Sequence, residues 1–96
     1  MIVELVEFVH PAGTSRADVI ESARATLPHW QADPDLLRKH YLLGTDGRSG
    51  AGLYFWTDIA AARRAHSADW VAAAEQRTGQ AVRIRHFELL MTLDNV

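Results

Sequence analysis

The sequence contains no cysteine, which excludes disulfides, thiolate metal sites and a cysteine nucleophile. It has no strong charge excess either. Lys and Arg number 10, Asp and Glu 12, and the net charge is −2. That balance points to neither a nucleic-acid partner nor an anionic membrane surface. Long apolar runs are missing. The opening MIVELVEFVH is interrupted by Glu4 and Glu7 and lacks a basic flank, so it reads as neither signal peptide nor membrane span. A soluble, cytoplasmic protein is expected. Repeats, low-complexity tracts and linkers are missing as well, so residues 1–96 are expected to form one domain.

Several catalytic signatures are also lacking. No two histidines stand at i, i+3 or i, i+4, and there is no His-x-His, so metal binding has little support. The glycine-rich GTDGRSG leads into a strand rather than a helix, so it reads as a hairpin loop and not a phosphate cradle. No serine sits in a nucleophile elbow, and no pair of carboxylates stands out.

What the chain does have is 48% hydrophobic residues, generous for a domain that buries only roughly 60–65% of its surface alone. Some of that surplus is expected to serve a subunit interface. Residues 2–10 read as a buried strand stopped by Pro11 and Gly13. Thr14 or Ser15 caps a helix with Asp18 in its first turn. Val19, Ile20, Ala23 and Leu27 form its apolar stripe, and Pro28 is expected to end it. PHWQADPD then reads as a loop anchored by Trp30. LLRKHYLL (36–43) and AGLYFW (51–56) read as a hairpin. Thr57 or Asp58 caps a second helix, with Ile59, Ala62 and His66 on one face. Ser67 breaks that helix, a further piece runs to Gly79, and residues 81–93 form a last long strand.

The order β-α-β-β-α-β is that of the ferredoxin-like split motif. It implies an α+β fold: a four-stranded antiparallel sheet with helices on one face. The other face has no helix to cover it and needs a partner if it is apolar.

The hairpin and the helix after it resemble the dimeric α/β-barrel superfamily, and within it the YdhR-like relatives of the antibiotic-biosynthesis monooxygenases. The resemblance is carried by Lys39 with Tyr41, by Gly52, Leu53, Tyr54, Phe55, Trp56, Asp58 and Ala61, and by Arg83, Arg85, His86 and Phe87. Arg38 and His40 depart from the family's aromatic positions. The resemblance implies a homodimer whose sheets pack back to back, and a small-molecule pocket between sheet and helices. Across the superfamily the activities include cofactor-free oxygenation, haem degradation, isomerisation and dehydration.

A hairpin turn centred on Gly47 places His40 opposite Tyr54 and Arg38 opposite Trp56. Arg38, His40, Tyr54 and Trp56 then share the pocket face, and Lys39 takes the other. A slip of one residue exchanges the two sets. Tyr54, Trp56 and Trp70 are the expected ring-holding residues. Arg38 or Lys39 stabilises an anion, and His40 or His66 is the expected base. His10, His29 and His86 are weaker candidates. The leading expectation is a cofactor-independent monooxygenase acting on a small aromatic or polyketide-like substrate. The alternatives are haem binding or degradation through His66, a base-catalysed isomerase or dehydratase, and a non-enzymatic small-molecule-binding stress-response module.

Overall fold

The computed structural model describes residues 1–95. Its elements are β1 (Ile2–Val9), α1 (Arg16–Gln31), β2 (Leu36–Leu43), β3 (Ser49–Trp56), α2 (Ile59–Ala65), α3 (Ala68–Thr78) and β4 (Arg83–Glu88). The strands form one antiparallel sheet in the order β2-β3-β1-β4, and the helices cover one face. This is the ferredoxin-like α+β fold. Among the described residues no helix is long and apolar enough to cross a membrane.

Local chemistry sets the boundaries. Ser15 caps α1 in a full capping box: its hydroxyl accepts from Asp18 N, and the Asp18 carboxylate accepts from Ser15 N. Asp58 caps α2 through Ala61 N at 2.8 Å. Ser67 caps α3 through Trp70 N, and Gly79 closes that helix in the left-handed region at φ 71°.

Three expectations need correction. First, Pro28 lies inside α1 rather than ending it. Its missing N–H costs only one bond near the helix end, and its own carbonyl still accepts from Ala32 N at 3.2 Å. Trp30 is therefore helical. The inner stripe becomes Val19, Ala23, Thr26 and Trp30, while Ile20 and Leu27 stay exposed. Second, β4 stops at Glu88. Glu88 stands opposite Ile2, the first residue of β1, and beyond that pair Leu89 N donates to Met1 O.

The third correction concerns the hairpin register. Gly44 pairs with Ser49, and Gly47 N donates to Gly44 O with Gly47 at φ 74°. The Asp46 carboxylate accepts from Arg48 N, Ser49 N and Ser49 Oγ. The turn thus centres between Asp46 and Gly47 instead of on Gly47. Lys39 faces Tyr54, His40 faces Leu53 and Arg38 faces Phe55. Half a residue of turn offset moves every β2 side chain to the opposite face. A bulge between Leu36 and Arg38 returns Leu36 to Trp56.

On β3 the helix-facing residues are Gly50, Gly52, Tyr54 and Trp56, all buried. The core is Val6, Tyr54, Trp56, Ala61 and Ala62, with Trp30, Leu36, Trp70 and Ile84 packed against it. Gly52 is required by its neighbour: a Cβ there would lie 2.7 Å from the Tyr54 ring, which leans along the strand over it. Gly52→Ala is expected to lower stability by about 1–3 kcal/mol, the cost of overpacking, as read by urea denaturation.

Candidate active site

Glu4 points from the middle of β1 into the helix-covered side and is completely buried. A buried carboxylate is tolerated only when its lone pairs are used. Trp56 Nε1 donates to Oε1 at 2.9 Å and His66 Nδ1 donates to the same oxygen at 2.6 Å. His86 Nε2 donates to Oε2 at 2.8 Å. Burial alone would push the Glu4 carboxyl up. The hydrogen bond and attraction of the His66 ring, with the bonds from His86 and Trp56, outweigh burial and hold it below its ordinary value.

His66 forms the C-cap of α2, with φ −120° and ψ 63°. Its Nδ1–H belongs to Glu4, and its Nε2 is buried without a partner. The ring lies among Tyr54 (4.6 Å between centroids), Trp70 (4.5 Å) and Trp30 (5.4 Å). Those three aromatics form a wall. On its far side is a cavity of about 900 Å³ between the sheet, α1 and α3. Trp30, Tyr54 and Trp70 line it, whereas His66, Glu4 and Trp56 do not.

Lys39 is the charged group in that wall. Its Nζ stands 4.6 Å from the Trp30 ring centroid, 4.0 Å from Tyr41 and 4.6 Å from Tyr54. Three rings around an ammonium attract it by cation–π contact, roughly 0.5–2 kcal/mol each depending on desolvation. Burial acts in the opposite sense and pulls its pKa down to about 8. No carboxylate bonds it among the described residues. Tyr41 is fixed in turn by α1. Its hydroxyl bonds Thr26 Oγ1 at 2.8 Å, and Thr26 donates onward to Ala23 O. Burial, with the charges of Glu4 and Tyr41, raises the Tyr54 phenol far above its usual range, so it stays a neutral hydroxyl.

Of the residues singled out in the sequence, Lys39, Tyr54 and Trp70 meet at the cavity. Trp56 and His66 lie directly behind them. Arg38 and His40 are on the opposite, open face, where the His40 ring packs edge-on to Phe55 at 5.8 Å. Sequence reasoning missed the role of Glu4 and the position of Trp30. Glu4 shares strand parity with Val6, and an inward carboxylate demands donors; that parity was the available signal. Trp30 was hidden by the assumption that Pro28 ends the helix.

Glu4→Gln is expected to destabilise the fold by about 2–3 kcal/mol, because it discharges the acceptor of three buried bonds. The depressed carboxyl contributes stability above its ordinary value of 4.5 and loses it as pH falls through the folded value. The wild-type advantage over Glu4→Gln in denaturation midpoint should therefore shrink in acid below that point.

No family model and no curated protein matches the chain. Solved structures do. SnoaB from Streptomyces nogalater, described as a cofactor-independent oxygenase, is 22% identical over 96% of each chain, with a TM-score of 0.66. A monooxygenase from ActVA-Orf6 of Streptomyces coelicolor, in complex with nanaomycin D, is 17% identical over 99% of this chain and 92% of that one, with a TM-score of 0.71. A MhuD variant with two manganese protoporphyrin IX molecules per active site is 16% identical over 99% of this chain and 100% of that one, also at 0.71. At these identities the likeness is one of fold, and the chain has the ferredoxin-like α+β fold of the antibiotic-biosynthesis-monooxygenase structures.

Proposed function

We propose that the protein is a cofactor-independent monooxygenase acting on a small aromatic or polyketide-like substrate, working as a cytoplasmic homodimer. One observation carries the reading: a desolvated lysine, caged by three aromatic rings, at the wall of a largely apolar cavity. The fold is shared with an oxygenase described as cofactor-independent and with a monooxygenase in complex with nanaomycin D.

The chemistry follows from the cage. A phenol whose oxygen meets the Lys39 ammonium ionises more readily, its proton passing to water at the cavity mouth. The phenolate delocalises its charge onto ring carbon. That carbon gives its electron pair to molecular oxygen, and a carbon–oxygen bond forms as a hydroperoxide. Loss of water leaves a carbonyl. One oxygen atom ends in the product and the other in water. Tyr54 and Trp70 hold the ring, and Trp30 and Tyr41 complete the aromatic lining around Lys39. His66 acts through the wall as a positioning residue rather than as a base or an axial ligand, since it does not reach the cavity.

Oxygen uptake with a panel of naphthols, anthrones and quinols is the test. Uptake with quinone formation is expected, and Lys39→Met should lower kcat/KM roughly hundredfold. The Lys39 charge is lost above about pH 8, so wild-type kcat/KM should fall through that point. Lys39→Arg should move the fall to higher pH. Background uptake with every compound would sink the oxygenase reading.

The dimer rests on a separate feature. The open sheet face presents Val3, Leu5, Leu53 and Phe55, with Leu42 and Phe87 exposed by 44% and 48%. After β4, Leu90, Met91 and Leu93 are exposed by 84%, 85% and 88%. Apolar surface on this scale calls for a partner, and a second copy fits a face that is itself flat sheet. Sedimentation equilibrium should find a dimer at micromolar concentration; a monomer would overturn the assignment.

A further inference from the structure

Nine of the ten basic residues are arginine, and Lys39 is the chain's one lysine. A permanent cation among aromatic rings needs no lysine. Arginine stacks on ring faces at least as well and keeps its charge at any physiological pH. What lysine alone offers is an amine that can give up its proton and expose a lone pair.

The surroundings of Lys39 favour that loss. Its Nζ is enclosed by rings from three elements: Trp30 of α1, Tyr41 of β2 and Tyr54 of β3. Among the described residues no carboxylate pairs with it, and no aspartate or glutamate lines the cavity at its side. Tyrosines apart, the cavity's other titratable groups are His10, Arg16, His29 and Arg77, and the arginines repel a further cation. Glu4 stands in the same row across Tyr54, but its oxygens are turned to Trp56, His66 and His86. Burial is the cause of the low pKa. At a value of about 8, about one molecule in ten carries the free amine at pH 7. An ordinary lysine, at 10.5, does so in about one molecule in three thousand.

We propose that Lys39 is a nucleophile that forms an imine with an aldehyde or ketone entering the cavity. This goes beyond oxygenation and rests only on the cavity admitting small organic molecules. The Nζ lone pair forms a bond to the carbonyl carbon. The carbonyl π pair moves to oxygen, which takes one proton from nitrogen by way of water. A second proton, from solvent, lets that oxygen leave as water while the remaining nitrogen pair closes the C=N bond. Amine, carbonyl and one proton become a protonated imine and water, and nothing is oxidised or reduced. The cage selects this class of electrophile. A protonated imine keeps a positive charge against the negative faces of the three rings. An acyl donor would leave a neutral amide there, and carbon dioxide an anionic carbamate; both forfeit that attraction.

The probe is 2-naphthaldehyde with cyanoborohydride, which reduces the imine to a stable secondary amine. Peptide mass spectrometry reads the site, and the α-amine at the N-terminus calibrates the reagent in every sample. Relative to that amine, Lys39 of the folded protein at pH 7 should be trapped at least about tenfold faster than Lys39 of the same chain unfolded in guanidinium chloride. Lys39→Arg should carry label at the α-amine alone. A ratio short of tenfold, or label confined to the α-amine in folded wild type, would overturn the proposal. Oxygen uptake is measured on the same protein. Trapping at Lys39 without uptake sinks the oxygenase and leaves the nucleophile standing; uptake without trapping does the reverse.

Discussion

The carboxylate of Glu4 is the point on which the remaining structure depends. It sits on a central strand with no water to solvate it, so its position is acceptable only while three donors reach it. Those donors come from three places: Trp56 at the end of β3, His86 in β4, and His66 at the junction of α2 and α3. One side chain thus ties the strands on both sides of β1 to the turn between two helices. The His66 bond holds that residue where α2 must end, and α3 starts at once with Ser67 as its cap. Displacing any donor leaves a buried polar group unmatched, which is why these contacts form or fail together.

The same small chain gives up packing to keep a cavity. No residue of α1 is fully buried, and its inner side chains Val19 and Ala23 face the cavity instead of the sheet. The helix is fastened at its C-terminal half, by Trp30 against the core and by Thr26 to Tyr41. Apolar surface that could have been buried in contact with β1 and β2 lines the cavity instead. Under the proposed function a bound substrate would supply that missing layer, and binding would reinforce folding.

Much of the fold was legible in the sequence, for reasons particular residues make plain. β2 begins and ends where its apolar residues do, and Ser15, Ser67 and Gly79 act as caps because their chemistry is local. The departures came from features that residue spacing does not show. The register of β2 turned on how Asp46 folds its carboxylate back onto Arg48 and Ser49, which spacing alone does not reveal. β4 is shorter than its apolar run because its pairing with β1 ends at Glu88, opposite Ile2. The candidate site was legible in composition but not in orientation. Composition marks Tyr54, Trp70 and Lys39, but a turn centred on Gly47 puts Lys39 on the open face and Arg38 and His40 in its place. In the sequence Glu4 is only a charge in an apolar run, because its meaning lies in donors found more than fifty residues away.

The wall of Trp30, Tyr54 and Trp70 joins the two halves of this account. One side of it packs on the His66 ring held by Glu4; the other side bounds the cavity, where two of its rings cage Lys39. An aromatic cage attracts a cation only while its faces stay in place, so the cage is as rigid as the network behind it. Gly52 belongs to the same arrangement, since it is the missing side chain over which the Tyr54 ring lies. The cation is held by the negative faces of the rings and not by a fixed anion, which leaves its charge uncompensated. A carboxylate partner would have given Lys39 a stronger bond and taken that charge away. Among the described residues no carboxylate lines the cavity and one stands behind its wall: Glu4 fixes the rings, and the rings hold an uncompensated ammonium, which under the proposed function would meet the substrate oxygen.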